Sequence, residues 1–284
     1  MRQLARRIER EDSLDDIARA VNKQLDSVLA RVPERRKLLD FLHGAWLGHP
    51  LHPLLVSVPI GAWTTAVFMD ALHPRGGRSH AAEAAIAVGL AGALAAAPAG
   101  WADWTALNDR QRRIGLVHGG LNGVVIASFG LSLICRLISF GPGRFFSLLG
   151  LGGAGIAAYL GGDMVYRLQA GVAHVADEEP PGQEQMPVSE ASFSEREMKR
   201  VEIDGFPVLV AKVNGRLFSL ADVCPHLGCS LAEGTLMADR VICKCHGSEF
   251  ALADGSVLGG PAVQPVQAFE VTEADGALTV TPKG

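Results

Sequence analysis

Charge is what this sequence is short of. Asp, Glu, Lys and Arg make up only 20% of its 284 residues, and four stretches, at about 54–69, 84–102, 114–135 and 145–162, have none. With 48% hydrophobic residues and a positive mean hydropathy, the chain is too apolar for an ordinary soluble protein and long enough for two domains. There is no basic excess either. The net charge is -4, which excludes nucleic acid as the expected partner. Cysteine is sparse, with five in the chain, and four of these fall between positions 224 and 245.

Each charge-free run is near the length of helix that crosses a bilayer core once its ends are extended. Four membrane-spanning helices are therefore expected, packed closely through Gly115, Gly119, Gly123, Gly152, Gly153 and Gly155. Trp46, Trp101 and Trp104 fall near helix ends, as in an aromatic belt. Ahead of these runs, Leu14, Ile17, Val21, Leu25, Val28 and Val32 recur at helical spacing after Ser13, a residue type that caps helices. Residues 1–44 read as one amphipathic helix that lies on the membrane surface, pairs with a second copy to make a homo-oligomer, or packs on the C-terminal domain. Arg35-Arg36-Lys37 superficially matches a twin-arginine export signal, but the His-Pro repeats that follow interrupt its apolar core.

Residues 45–170 thus form a four-helix transmembrane domain, and an acidic, Pro-rich linker follows over 171–188. The remainder, 189–284, reads as short strands joined by tight turns at Asn214-Gly215, Asp254-Gly255 and Asp275-Gly276. The fold class is multi-domain: an α-helical four-helix transmembrane bundle followed by an all-β domain of small antiparallel sheets.

In that last domain, Cys224-Pro225-His226-Leu227-Gly228-Cys229 is answered by Cys243-Lys244-Cys245-His246-Gly247-Ser248. Two thiolates and two imidazoles from such loops suit an asymmetric two-iron cluster, with Cys224 and Cys243 on one iron and His226 and His246 on the other. Neutral imidazoles in place of two thiolates reduce the cluster's negative charge and raise its potential. A tetrahedral zinc site accepts the same donor types, although zinc motifs usually pair cysteine with cysteine and histidine with histidine.

The two loops resemble those of the Rieske [2Fe-2S] iron-sulfur family, in the version with an extra cysteine in each. The resemblance implies a disulfide between Cys229 and Cys245, a hydrogen bond from Ser248 to a cluster sulfide, and a covering loop at Gly259-Gly260-Pro261-Ala262. Phe250 stands where quinol-oxidising relatives have a tyrosine, which implies an intermediate potential. Rieske oxygenases add a large catalytic domain with a mononuclear iron site, and the roughly one hundred residues of short strands are expected to leave no room for one here. The expectation is an electron-transfer component with a [2Fe-2S] cluster rather than an enzyme in its own right.

Upstream, the HPxHP motif over residues 49–53, together with Pro59-Ile60-Gly61 and Gly100-Trp101-Ala102-Asp103-Trp104, resembles a bacterial family of four-helix membrane proteins of unknown function. That likeness covers roughly residues 45–168 and places the protein in a bacterial inner membrane. His49, His52, Asp103, His118, Asn122 and Asp163 all fall at one end of the expected bundle, where polar groups are costly and often functional. They can hold a haem b or metal through His118 with His49 or His52, line a quinone pocket, or serve only as caps and interhelical hydrogen bonds. His43, His73, His80 and His174 are given no role. Cys135 is read as a packing residue.

Both chain termini fall on one side. Arg35, Arg36, Lys37, Arg110, Arg112, Arg113 and Arg167 lie on that side against Arg75, Arg78, Arg136 and Arg144 on the other, which directs the Rieske domain to the cytoplasm. A disulfide is uncommon there. The partner is expected to be a reductase, an oxygenase, a cytochrome or a quinone. Three functions remain open: a membrane-anchored one-electron carrier, a quinol-oxidising or haem-containing oxidoreductase subunit, and a scaffold that localises a Rieske ferredoxin beside a separate enzyme.

Overall fold

The computed structural model describes residues 1–72, 79–138, 141–175, 179–186, 189, 192–274 and 277–283. His73, Arg75, Arg78 and the Asp275-Gly276 turn lie outside them. The chain divides into two units, Met1–Arg35 with Leu51–Ala170, and Arg36–Pro50 with Gly171–Gly284.

The first unit is helical: α1 (Arg2–Glu9), α2 (Ser13–Leu29), α4 (Leu51–Leu72), α5 (His80–Thr105), α6 (Asp109–Leu137) and α7 (Gly143–Tyr166), with α3 (Arg35–His43) leading into the second unit. The last four of these are long and apolar enough to cross a membrane. They outrun the charge-free stretches because charges near their ends are paired. Asp70 and Arg136 meet at 2.5 Å, and Asp163 meets Arg167 at 2.6 Å. Ser79 caps α5, and a capping box of Asn108 and Gln111 starts α6.

The N-terminal segment is three helices, not one. α1 ends at Glu9, and Pro33 with Glu34 at φ 55° separates α2 from α3. The apolar stripe of α2 turns Val21 and Leu25 onto Trp101 and Trp104 of the bundle. Glu9 is buried between Arg110 and Arg167, and Arg113 binds Asp15 through two nitrogens at 2.7 Å.

The bundle repeats itself. His118, Phe129 and Arg136 on α6 each follow His52, Trp63 and Asp70 on α4 by 66 positions, and each pair is in contact. Gly150, Ala157 and Gly161 on α7 follow Gly89, Ala96 and Gly100 on α5 by 61. In both halves the aromatic ring presses on the first glycine, while the histidine presses on the last and bonds the alanine carbonyl. Two copies of one helical hairpin therefore make the same contacts.

The second unit holds the strands. β1 (Glu184–Gln185), β10 (Ala277–Pro282), β9 (Ala268–Ala274), β4 (Arg216–Ala221), β3 (Phe206–Val213) and β2 (Met198–Ile203) form one sheet in that order. β5 (Thr235–Leu236), β6 (Arg240–Ile242), β7 (Glu249–Ala251) and β8 (Val257–Gly259) form another, and every pairing is antiparallel. Asn214-Gly215 and Asp204-Gly205 both have positive φ throughout, as two-residue hairpin turns require. Alternation along β3 sends Leu209, Ala211 and Val213 to one core with Cys224 and Cys243, and Val208 and Val210 to a second core.

Candidate iron-sulfur centre

Two loops of equal construction in the second unit carry the candidate cysteines and histidines. In the first, Gly228 N–H donates to Cys224 O at 2.8 Å and Cys224 N–H to Cys229 O at 2.8 Å; in the second, Gly247 N–H donates to Cys243 O at 3.0 Å and Cys243 N–H to Ser248 O at 2.8 Å. Gly228 and Gly247 close them at φ 75° and 77°, where a side chain would be strained. Asp222, fully buried, anchors the first loop by accepting from Ser230 Oγ and Ala232 N, each at 2.6 Å. Its only sequence signal is its place two residues before Cys224. The loops are joined by a Cys229–Cys245 disulfide.

Cys224 and Cys243 are buried, and their sulfurs hydrogen-bond each other. The His226 N–H and the Ser248 hydroxyl donate to the Cys224 sulfur, and the Cys245 and His246 N–H groups to that of Cys243. The Cys224 thiol donating to it, helped by the backbone donors, holds Cys243 below the ordinary thiol range. Cys224 is raised by the same contact and by burial. The pair thus holds one negative charge readily and has donors ready for a second. Cys243 lies within 4.8 Å of both disulfide sulfurs, but Cys229 and Cys245 are spent on each other.

His226 and His246 meet with ring centroids 4.9 Å apart. Burial, then the nearby His246, His43 and His174, push His226 down to about 3, so its imidazole is neutral, as a metal ligand must be. Ser248 is fully buried and also accepts from Ala262 N–H at 3.0 Å, tying the covering loop to the second cluster loop. Phe250 is fully buried on β7. Two soft thiolates and two neutral imidazoles fit a cluster whose two irons carry different ligands.

Residues 183–270 match the family description "Rieske [2Fe-2S] domain". An 85-residue stretch is 33% identical to the ferredoxin component of the alkene monooxygenase system of Xanthobacter autotrophicus, covering 30% of this chain and 69% of that protein. The chain belongs to the Rieske [2Fe-2S] family. This Rieske protein is also 34% identical over 74 residues to the cytochrome b6-f complex iron-sulfur subunit of Chlorobaculum tepidum, covering 26% of this chain and 40% of that one. Among solved structures, the ferredoxin of carbazole 1,9a-dioxygenase from Nocardioides aromaticivorans aligns at 21% identity and a TM-score of 0.34, covering 36% of this chain and 100% of that one. Residues 48–174 match "Predicted membrane protein (DUF2231)". The protein therefore carries a [2Fe-2S] cluster domain and a multi-pass membrane domain.

In the membrane domain the structure brings together His52, His118 and Asn122. The two rings meet edge to face at 6.5 Å. His52 Nδ1 donates to Ala96 O at 3.0 Å and His118 Nδ1 to Ala157 O at 2.9 Å. Asn122 Nδ2 donates to His118 Nε2 at 3.1 Å. His49 belongs to the second unit, is exposed and faces its own neighbour Pro50. Asp103 lies in the last turn of α5 and Asp163 is held by Arg167. His43 and His174, given no role from sequence, lie near His226.

Proposed function

We propose that this membrane-anchored Rieske protein carries single electrons, with Cys224 and Cys243 holding the inner iron and His226 and His246 the outer one. When bound, the cluster supplies a one-electron couple at an intermediate potential. The chain's part is to hold that couple in place: the sulfurs receive backbone and Ser248 hydrogen bonds, and the imidazoles form the edge through which an electron leaves and at which a proton is taken up. The observation that carries this reading is the pairing of two buried thiols with two imidazoles that meet edge to face on two equal loops. Cys243→Ser or His226→Ala is expected to abolish the Rieske EPR signal in the purified full-length protein; an intact signal in either variant overturns the ligand assignment.

The redox partner is a reductase, an oxygenase or a cytochrome, or a quinone. The likeness to a monooxygenase ferredoxin supports delivery to a separate enzyme. The His52–His118 contact supports a second reading, in which the membrane domain meets quinol or holds a haem or metal through this pair. Quinol-dependent reduction that is present in the full-length protein and lost in His118→Ala would favour it. The arginine count supports a cytoplasmic Rieske domain in a bacterial inner membrane, and two arginines counted on the opposite side, Arg136 and Arg144, are both engaged with Asp70. A C-terminal reporter active only in the periplasm would overturn that placement.

A further inference from the structure

The cluster loops have a neighbour that comes from more than two hundred positions away in the sequence. Segment Arg36–Pro50 belongs to the same compact unit as the strands. Arg36 Nη2 donates to the carbonyl of Gly247 at 2.9 Å and to that of Gly260 at 3.3 Å. The same guanidinium faces Glu249 at 3.2 Å and Asp40 at 3.4 Å. One turn further along α3, Asp40 accepts the N–H of Gly260 at 2.9 Å. Both backbone groups of Gly260 are thus taken by side chains of α3.

The two carbonyls that Arg36 joins belong to different walls. Gly247 follows His246 in the second cluster loop, and Gly260 lies in the covering loop. Nη2 bonds both carbonyls while Nε of the same planar group faces Asp40, so one rigid guanidinium holds three partners in a fixed geometry, which a point-like ammonium does less well. The fit is close, since a Cβ on Gly259 would lie 2.3 Å from Arg36 Nη2. The buried His43 packs on Gly260, and Gln264 donates to Gly48 O at 2.6 Å. The segment is therefore fixed along its length.

Charge points the same way. Arg36 offsets Asp40 and shares Glu249 with Arg240, so its removal takes a counter-charge from both carboxylates and leaves Glu249 with Arg240. A more negative surrounding disfavours the added electron.

We propose that α3 is a third wall of the cluster cradle, and that Arg36 is a positioning residue that holds the second cluster loop to the covering loop and keeps the reduction potential high. This rests on the ligand assignment above, and the two fail differently. A wrong ligand set shows as an intact signal in Cys243→Ser or His226→Ala, whereas this proposal is read from the potential of a protein whose signal is normal.

The test is a redox titration followed by EPR on detergent-purified full-length wild type, Arg36→Gln and Arg36→Lys, each with its iron content measured. Arg36→Gln is expected to keep its iron and its signal and to lower the equilibrium constant for reduction about tenfold, ~59 mV for a one-electron couple. Arg36→Lys, which keeps the charge without the rigid planar group that reaches both carbonyls and Asp40, is expected to recover less than half of that loss. A normal signal with an unchanged potential in Arg36→Gln overturns the proposal. Full recovery in Arg36→Lys overturns the positioning role. Should Arg36→Gln lose its cluster, Arg36→Lys decides alone: a potential below wild type supports the clamp, and a wild-type potential overturns it.

Discussion

Ser248 has one hydroxyl and two duties. It donates to the Cys224 sulfur and accepts the N–H of Ala262, and no part of it is exposed. Ser248→Ala removes a donor that favours the reduced cluster and leaves a buried N–H without its acceptor. Such an orphaned group costs about 1–3 kcal/mol. The expected outcome is a lower midpoint potential together with a lower unfolding temperature, measured by redox titration and thermal melting of the same sample. His226 gives a pH dependence to the cluster-free protein. Its folded pKa of about 3 is below its ordinary 6.5, so between these values the unfolded chain binds a proton that the folded chain refuses. Stability contributed by keeping this ring neutral is fully present above pH 6.5 and is lost as pH falls toward 3. Denaturant titrations of chelator-stripped protein across that window should show the decline, and His226→Gln should flatten it. At this scale the sequence was informative about the loops, because two loops of like composition within twenty-odd positions are a local pattern. It was silent on Asp222, whose anchoring depends on burial, and on His43 and His174, whose neighbours lie far along the chain.

Among the elements, the helices of the membrane domain were legible from apolar length, yet their ends were not. A run read as charge-free stops at the first charge, while α4 and α6 continue through Asp70 and Arg136 because those two neutralise each other. The repeat was hidden for a related reason. Its two halves differ where they meet, Trp63 against Phe129 and Asp70 against Arg136, and keep only His, Ala and Gly in common at these contact positions. Spacing found only part of the glycines under pressure: a Cβ on Gly115 would lie 2.6 Å from Trp104, but Gly123, Gly152 and Gly155 have open space, and Gly89 and Gly150, where a Cβ would lie 2.3 and 2.7 Å from an aromatic ring, were not singled out. The ion pair gives a test. Asp70 and Arg136 are joined by two hydrogen bonds, and Arg136 also reaches Ser132 and Ser147. Asp70→Asn leaves a buried guanidinium without its counter-charge and is expected to cost about 3–5 kcal/mol. The exchange Asp70→Arg with Arg136→Asp should recover part of that in thermal unfolding in detergent, because the pair sits at equivalent positions of the two hairpins. A double variant no more stable than the worse single one would show that the repeat does not extend to this level.

For the whole molecule, the Rieske unit is discontinuous in sequence, and this decides how it can be isolated. A head cut at position 185 begins within β1, loses the contact of His174 N–H with Pro225 O at 3.0 Å, and loses all of Arg36–Pro50. No local periodicity could have announced this, since α3 looks like any short charged helix and its partners are backbone groups of glycines. The hydrogen bonds to Arg36 and Asp40 involve charged groups, each worth roughly 1.5–3 kcal/mol. Losing even 2 kcal/mol would lower the melting temperature of a domain of about 100 residues by roughly 8 °C or more. The fragment 185–284 is therefore expected to melt lower and to bleach faster in air than residues 36–50 joined by a Gly/Ser linker to 171–284. Both are to be compared by thermal melting and by the decay of their visible absorption. Equal melting points and equal bleaching rates would mean that the unit needs nothing from the N-terminal segment, and that the cradle is complete in the strands and loops alone.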